Sequence, residues 1–240
     1  RCTGMSVAAI RCQLTEMPDG MFDHCTSLTK ITMADSIKNN IRRIGVGTFY
    51  DCPKLTTFAF GDSVAKIDAC GFMGCTGLGK VTLPESVKHI GHDAFSACQK
   101  MSEINIPANV DSIGDHAFKD AHALKQITMS DSVKYLGEQA FAYCQNLTSA
   151  KISKNITEIR FKTFAGCTKL TDFTLSPNIT IIADSAFQGV KCFDTLKLSN
   201  LNSVGDYAFA DCGKLKYVYM PEKLRKIGNY TFKGDSIEQY

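Results

Sequence analysis

The sequence has no tryptophan, only six prolines and no marked excess of charge of one sign. Its 27 lysine and arginine residues against 24 aspartate and glutamate residues leave a formal charge of +3, which is too small to predict a nucleic acid or an anionic lipid surface as a partner. No stretch approaches the ~20 consecutive apolar residues of a membrane-spanning helix, so we expect no membrane insertion in this segment. A composition with 44% hydrophobic residues also excludes a disordered tail.

The motifs of common catalytic and metal centres are missing as well. Gly-x-Ser-x-Gly, the glycine-rich nucleotide loops, His-Glu-x-x-His and Cys-x-x-Cys do not occur in the sequence. The chain is therefore predicted to be non-enzymatic, with no catalytic residues, no cofactor and no metal.

A 23-residue period organises what is present. Phenylalanines recur at intervals of 27, then 23 six times, then 22, then 23 residues. The long interval indicates a four-residue insertion around Lys38-Asn39-Asn40-Ile41, and the short one a deletion near Ser199-Asn200. The series is Phe22, Phe49, Phe72, Phe95, Phe118, Phe141, Phe164, Phe187, Phe209 and Phe232.

Other apolar positions keep the same phase. A cysteine, or once an alanine and once a valine, follows each phenylalanine from Phe22 to Phe209 by three residues, and a leucine-like residue comes three further on. An apolar-polar-apolar triplet such as Ile104 to Ile106 then predicts a short half-buried strand. Because one such unit cannot cover its own apolar side, stacked units must share a continuous interior. At ~4.8 Å between stacked strands, roughly ten turns predict a solenoid about 45–50 Å long.

The unit Cys-x-x-Leu-x-x-Ile-x-Ile-Pro-x-x-Val-x-x-Ile-Gly-x-x-Ala-Phe resembles the 23-residue repeat of BspA-like leucine-rich repeat surface proteins. The resemblance covers residues 2 to 232. It implies an α/β solenoid, a right-handed leucine-rich repeat superhelix with a parallel concave β-sheet and about ten repeats. It also implies bacterial or protozoan surface proteins, several of which are adhesins for host matrix or plasma proteins. We expect a single domain over residues 1–240, with an N-terminal partial repeat at 1–21 and a truncated C-terminal repeat at 229–240.

Eleven cysteines invite a disulfide interpretation, but their spacing argues against it for most of them. Eight share one interior column in which alanine and valine also occur, so we predict buried free thiols there. Cys12, Cys70 and Cys192 lie outside this column. A bond between Cys2 and Cys12 that staples the N-terminal end stays open as an alternative.

The outward positions of the predicted strands are the candidate binding surface. Threonines in the middle of this surface need no function beyond strand formation. Near the C-terminal end, Tyr217, Tyr219, Lys197 and Lys151 combine aromatic area with positive charge and are our predicted contact patch. The alternative is that the tyrosines only cover the end of the core.

Folding the sequence at 23 residues also places His92, Asp93, Asp115 and His116 near one another on the side away from the strands. Exposed bend positions are ordinarily just solvated, so we expect no metal there.

The leading hypothesis is a protein-interaction module of a cell-surface or secreted protein, which binds a protein ligand such as a host extracellular-matrix or plasma protein through the concave sheet. One alternative is an intracellular scaffold of the same fold, which fully reduced cysteines would favour. Another is a carbohydrate-binding protein or a metal-assisted enzyme built on the convex side, which a tightly bound metal would support. Similarity of fold alone does not decide between these three functions.

Overall fold

Short parallel strands recur along the whole chain in the computed structural model. It describes residues 2–198 and 200–238, so Arg1, Ser199, Gln239 and Tyr240 lie outside the description, and with them Ser199 of the predicted deletion and the terminal residues of the predicted domain. The architecture is a parallel β-solenoid of about ten turns. The prediction of a parallel solenoid of about ten turns is therefore confirmed.

The strands are β1 (Val7–Ile10), β2 (Lys30–Met33), β3 (Arg43–Ile44), β4 (Lys66–Ile67), β5 (Lys80–Val81), β6 (His89–Ile90), β7 (Glu103–Ile104), β8 (Ser112–Ile113), β9 (Gln126–Thr128), β10 (Tyr135–Leu136), β11 (Ser149–Lys151), β12 (Glu158–Ile159), β13 (Ile181–Ile182), β14 (Thr195–Lys197), β15 (Ser203–Val204), β16 (Tyr217–Tyr219) and β17 (Lys226–Ile227).

One set of strands, which we call ladder A, is the set that the apolar-polar-apolar triplets predict. Its strands pair in parallel, two by two: β1 with β2, β5 with β7, β9 with β11 and β14 with β16. Paired residues are one repeat apart, as Ala150 and Ile127 are. Inner side chains such as Ile127 and Leu196 are buried and their neighbours are exposed, which is the alternation that a half-buried strand requires.

A second set, ladder B, was not predicted as strands. It consists of one five-stranded parallel sheet, in the order β10-β8-β6-β4-β3, and one four-stranded sheet, in the order β12-β13-β15-β17. Each strand has only two residues, an outer one and then an inner apolar one, such as Ser112 and Ile113. Ladder B is thus less interrupted than ladder A, although its strands are shorter.

The phenylalanines form one continuous stack through the interior. Neighbouring rings from Phe22 to Phe232 lie 4.9–5.9 Å apart between centroids, with ring planes within 2–21° of parallel. The eight rings from Phe49 to Phe209 have no exposed surface. The predicted interior position of the phenylalanine column is confirmed, and stacking adds to what burial alone contributes.

The interior cysteines do more than fill space. The Cys75 thiol lies 3.1 Å from the carbonyl oxygen of Phe49 and donates to it, so it joins its own turn to the preceding one. The same bond from cysteine to the phenylalanine one turn earlier recurs, at 3.1–3.4 Å, at Cys52, Cys98, Cys144, Cys167 and Cys212. All eleven cysteines are free thiols, and Cys2 and Cys12 are both exposed. The prediction of buried free thiols is confirmed for seven of the eight cysteines of the column and is wrong for Cys2, which is exposed. The alternative Cys2–Cys12 staple is not formed.

The α/β part of the predicted fold is not confirmed. Within the described residues, α-helix is confined to α1 (Asp35–Lys38), which ends where the predicted insertion begins and buries Ile37. Elsewhere the segment around each phenylalanine is a series of turns, because the residues two before and two after it have a left-handed backbone, as His116 (φ 56°) and Asp120 (φ 59°) do around Phe118. A right-handed helix cannot continue through such residues.

The phenylalanine stack yields a first prediction. Phe118→Ala should lower the free energy of unfolding by ~3–5 kcal/mol, because it removes a fully buried ring between two stacked neighbours. Urea denaturation measures the loss. Phe161→Ala, at a half-buried ring outside the stack, is the matched control and should lose clearly less. Equal losses for the two variants would contradict the stack as the main source of stability.

A second prediction concerns the contact between neighbouring turns at Gly114. A Cβ atom there would lie 2.6 Å from the backbone nitrogen of His92 and 2.7 Å from the carbonyl carbon of Gly91, in the preceding turn. Gly114→Ala should therefore destabilise the protein by about 1–3 kcal/mol, in the manner of an overpacked core. Gly79→Ala is the control, because nothing lies within 4 Å of its added methyl group. Denaturation midpoints that shift alike for both variants would rule out the close approach.

A third prediction follows from the burial of the thiols. Desolvation raises the pKa of Cys52 and Cys167 to about 12, and that of Cys75 and Cys144 well above its usual range, so these groups carry almost no thiolate at pH 8. Alkylation of the native protein followed by peptide mass spectrometry should show Cys2 and Cys12 modified first and the interior column modified only after unfolding. Early modification of Cys98 would contradict this order, and labelling in denaturant gives the reference for complete reaction.

Candidate functional site

The four predicted contact residues all lie on the outer face of ladder A. Lys151 ends β11, Lys197 ends β14, and Tyr217 and Tyr219 begin and end β16. Their inward neighbours Ala150, Leu196 and Val218 are buried, which turns the four side chains outward. The sequence pattern thus predicts their common face, and whether they bind a ligand stays a prediction.

The C-terminal pair of strands brings Lys197 and Tyr219 into register. Tyr219 is 54% exposed, whereas Tyr217 is half-buried because the end of the chain lies against it. The hydroxyl of Tyr217 donates to Glu238 Oε2 at 3.1 Å, and Lys216 Nζ lies 3.3 Å from Glu238 Oε1. This hydrogen bond to the carboxylate raises the pKa of Tyr217. Of the two tyrosines, Tyr219 is therefore the one open to a partner.

A cleft separates Lys151 from this pair. After β11 the parallel pairing of ladder A reduces to a single bridge, between Ser149 and Asp172, and the next segment leaves the ladder. The cleft has a volume of about 550 Å³, and Lys151, Phe173 and Thr174 are among its lining residues. A smaller adjoining cavity of about 140 Å³ is lined by Lys197 together with Leu175 and Pro177. The two lysines therefore flank the same irregular segment from opposite sides.

An aromatic residue occupies the inner strand position beside this cleft. Phe173 replaces the usual aliphatic residue and packs edge-on against Phe164 and Phe187 of the stack, at 5.2 Å from each ring centroid. The interruption around residues 57–60 also carries phenylalanine at inner positions, Phe58 and Phe60. A third interruption, between β7 and β9, has aliphatic inner residues, so phenylalanine accompanies two of the three breaks in ladder A. Sequence reasoning missed the cleft.

Charge on this face is distributed unevenly. In the middle of ladder A, Lys80 and Glu103 neutralise each other at 2.8 Å, and Ser149 donates to Asp172 at 2.7 Å. Within residues 2–198 and 200–238, neither Lys151 nor Lys197 has a carboxylate within 4.0 Å. Lys151 therefore borders the cleft that contains Phe173, whereas Lys197 borders the adjoining cavity and pairs with the exposed Tyr219.

A second aromatic pair lies on the bend that follows ladder B. The rings of Tyr207 and Tyr230 stack at 5.2 Å, as their shared column predicts, and Lys233 Nζ lies 5.8 Å from both ring centroids. Tyr230 is 64% exposed. Because this pair is on a different side from Tyr219, it does not extend the predicted patch.

In the predicted group on the bend, the side chains of His92, Asp93 and His116 lie close to one another. One ligand atom each from His92, Asp93 and His116 lies within 4.8 Å of the other two. Asp93 Oδ2 is 2.7 Å from His92 Nε2 and 3.7 Å from His116 Nδ1. Asp115, the fourth residue of the predicted group, turns away and accepts hydrogen bonds from the Tyr135 hydroxyl and the Glu138 backbone. Three of the four residues therefore come together with their ligand atoms within 4.8 Å of one another.

Comparison with known families gives a match over most of the chain. The family described as "BspA type Leucine rich repeat region" matches six copies, over residues 42–170 and 113–238. No curated protein matches the chain. None of the helices in the described part of the chain is long and apolar enough to cross a membrane.

Solved structures of other leucine-rich repeat proteins share the fold. A leucine-rich repeat protein from Bacteroides ovatus is 23% identical, over 97% of this chain and 77% of its own, with a TM-score of 0.51. The leucine-rich repeat protein of T. pallidum is 22% identical, over 77% and 76%, with a TM-score of 0.55. The pneumococcal vaccine antigen PcpA is 15% identical, over 98% and 68%, with a TM-score of 0.59.

Proposed function

Because this chain belongs to the BspA type leucine-rich repeat family, we propose that it is a non-enzymatic protein-interaction module of a cell-surface or secreted protein. Proteins of this family are generally repeat proteins without catalytic activity. Its ligand is a protein, of the kind found in host extracellular matrix or plasma, and it adheres to that ligand through the outer face of ladder A. The resemblance to surface adhesins and the family match support this proposal.

The superhelix in this proposal is right-handed, with ladder A on its concave side. Parallel strands joined by crossover connections are right-handed in nearly all known cases, which supports the handedness. A concave, rigid face suits a broad partner surface, because little side-chain or loop ordering is needed on binding.

One observation carries the assignment of the site: Lys197, without a carboxylate of the described residues within 4.0 Å, is paired with Tyr219, which is 54% exposed, and Lys151 borders the neighbouring cleft that contains Phe173. Tyrosine offers a large contact area at low entropic cost, and the two lysines complement carboxylates on a partner. We expect modest affinity from this patch, raised where many copies are displayed together.

The same chain also fits an intracellular scaffold. The observation in favour of this second function is that all eleven cysteines are free, two of them exposed, since disulfides form and persist in oxidising compartments. Protease treatment of intact cells of the source organism separates the two functions, because only a protein at the surface is degraded.

The test of the site is binding of the full chain to a panel of purified extracellular-matrix and plasma proteins, measured by surface plasmon resonance. Tyr219→Ala combined with Lys197→Ala should weaken binding to any positive ligand about tenfold or more, because a central aromatic and its neighbouring charge are lost. Tyr217→Ala should weaken it less, since that hydroxyl is already bonded to Glu238. Lys151→Ala should raise the dissociation constant only modestly and should reduce its dependence on salt concentration, because an exposed positive charge is lost.

The matched control is Tyr143→Ala combined with Lys134→Ala, which removes an exposed tyrosine and an exposed lysine outside ladder A. If the control variant loses as much affinity as the ladder A variant, the assigned face is wrong. If both variants bind like the unmodified chain, the contact patch lies elsewhere on the solenoid.

A further inference from the structure

We propose that His92, Asp93 and His116 form a binding site for a divalent first-row transition-metal ion of the zinc type. Two imidazole nitrogens and one carboxylate oxygen are a ligand set that zinc and its neighbours accept, whereas magnesium and calcium prefer oxygen ligands alone. The site is on the bend after ladder B and shares no residue with the proposed contact patch on ladder A.

The distances are close to those that a metal requires. For ligand bonds of about 2.0–2.1 Å, tetrahedral coordination places ligand atoms about 3.3 Å apart. Asp93 Oδ2 lies 2.7 Å from His92 Nε2 and 3.7 Å from His116 Nδ1, so it already lies between the two rings. The ring centroids are 5.0 Å apart and the ring planes are at 79° to each other. Small ring rotations, which the half-exposed His92 permits, bring all three atoms to coordination distance.

A fourth residue, Gln139, contacts the ring of His116 on the side away from Asp93 and orients it. The side-chain amide of Gln139, one repeat further on, lies with its nitrogen 2.9 Å from His116 Nε2. The two ends of an amide are interchangeable in such an assignment, so the amide oxygen can accept the Nε2–H while Nδ1 faces the metal. Metal-bound histidines ordinarily donate their other nitrogen in this way, which fixes the ring and its tautomer.

The backbone holds the ligands in a fixed relation. Asp93 and His116 occupy the same left-handed position in successive turns, with φ of 52° and 56°. Their amides donate to the next turn, Asp93 to the carbonyl of Asp115 at 2.9 Å and His116 to that of Glu138 at 2.8 Å. Because the two ligands belong to neighbouring turns, a bound metal also ties those turns together.

The other histidines lack this arrangement. His122 faces a single carboxylate, Asp120, at 3.6 Å, and His89 lies 2.9 Å from Asp111 and 2.8 Å from the hydroxyl of Ser112. His24 has two carboxylates nearby, but they contact opposite nitrogens of its ring, Asp23 at Nδ1 and Asp51 at Nε2, so the three do not converge on one point. In the part of the chain that the structure describes, His92, Asp93 and His116 are the one group of three potential ligands at such distances. The cluster is therefore not a general result of histidines on bends.

The experiment is calorimetric titration of the full chain with zinc chloride, with Cys2→Ser and Cys12→Ser present throughout so that exposed thiols do not compete. One zinc ion per chain is expected, with a rise in melting temperature that a chelator reverses, because a ligand that binds only the folded state stabilises it. Magnesium chloride should give neither effect.

The repeats themselves supply conservative variants. Gln139 occupies the column position of His116, and Ala69 that of His92, so His116→Gln and His92→Ala place residues that this backbone already accepts at these positions. Asp93→Asn keeps a residue type that tolerates the left-handed backbone. Each of the three should weaken zinc binding at least about 100-fold, and Gln139→Ala about tenfold, as loss of an outer partner does.

His122→Ala is the matched control and should bind zinc as the parent does. Melting curves recorded without zinc show that each variant is folded. Absence of zinc binding to the parent, or equal affinity in the parent and the three ligand variants, would overturn the proposal.

Discussion

The stack of phenylalanine rings is the interaction on which the other features of this protein depend. Each ring from Phe49 to Phe209 is fully buried between two neighbours, so the contact that stabilises one turn also sets the position of the next. The thiol bonds from each cysteine to the phenylalanine carbonyl one turn earlier follow from that spacing. The two ladders of strands lie at the sides of the stack, and their register of 23 residues is the register of the rings.

Much of this was predictable from sequence because the interior tolerates few residue types. A ring or a thiol every 23 residues can be read directly, and so can the alternation in ladder A. Ladder B was missed because strands of two residues, such as Ser112 and Ile113, contain no alternation to recognise. The helical part of the prediction failed for a different reason. The left-handed residues that break a helix, such as Asp93 and His116, are mostly not glycine, so their conformation results from packing and leaves no local signal.

The candidate sites were predictable to different degrees. Period-two alternation places Lys151, Lys197 and the two tyrosines on one face, and the structure agrees. The cleft beside Lys151 is lined by Phe173, and its presence depends on how that segment packs against the stack, which the repeat pattern does not show. The hydrogen bond from Tyr217 to Glu238 could not be predicted from the repeats, since the C-terminal segment does not follow the 23-residue period. The bend cluster was located by column, but only the side-chain orientations separate Asp115 from the other three residues.

The left-handed backbone at the position two residues before each phenylalanine affects how such proteins can diversify. The backbone at this position is left-handed in every described repeat, whether the residue is Gly47, Cys70, Lys162, Ser185 or Tyr230. None of the non-glycine residues found there is branched at Cβ, so exchanging one unbranched residue for another alters surface chemistry at a similar conformational strain. Successive turns then present an array of interchangeable side chains at fixed intervals, on which new recognition properties can arise by single substitutions while the aromatic interior stays as it is.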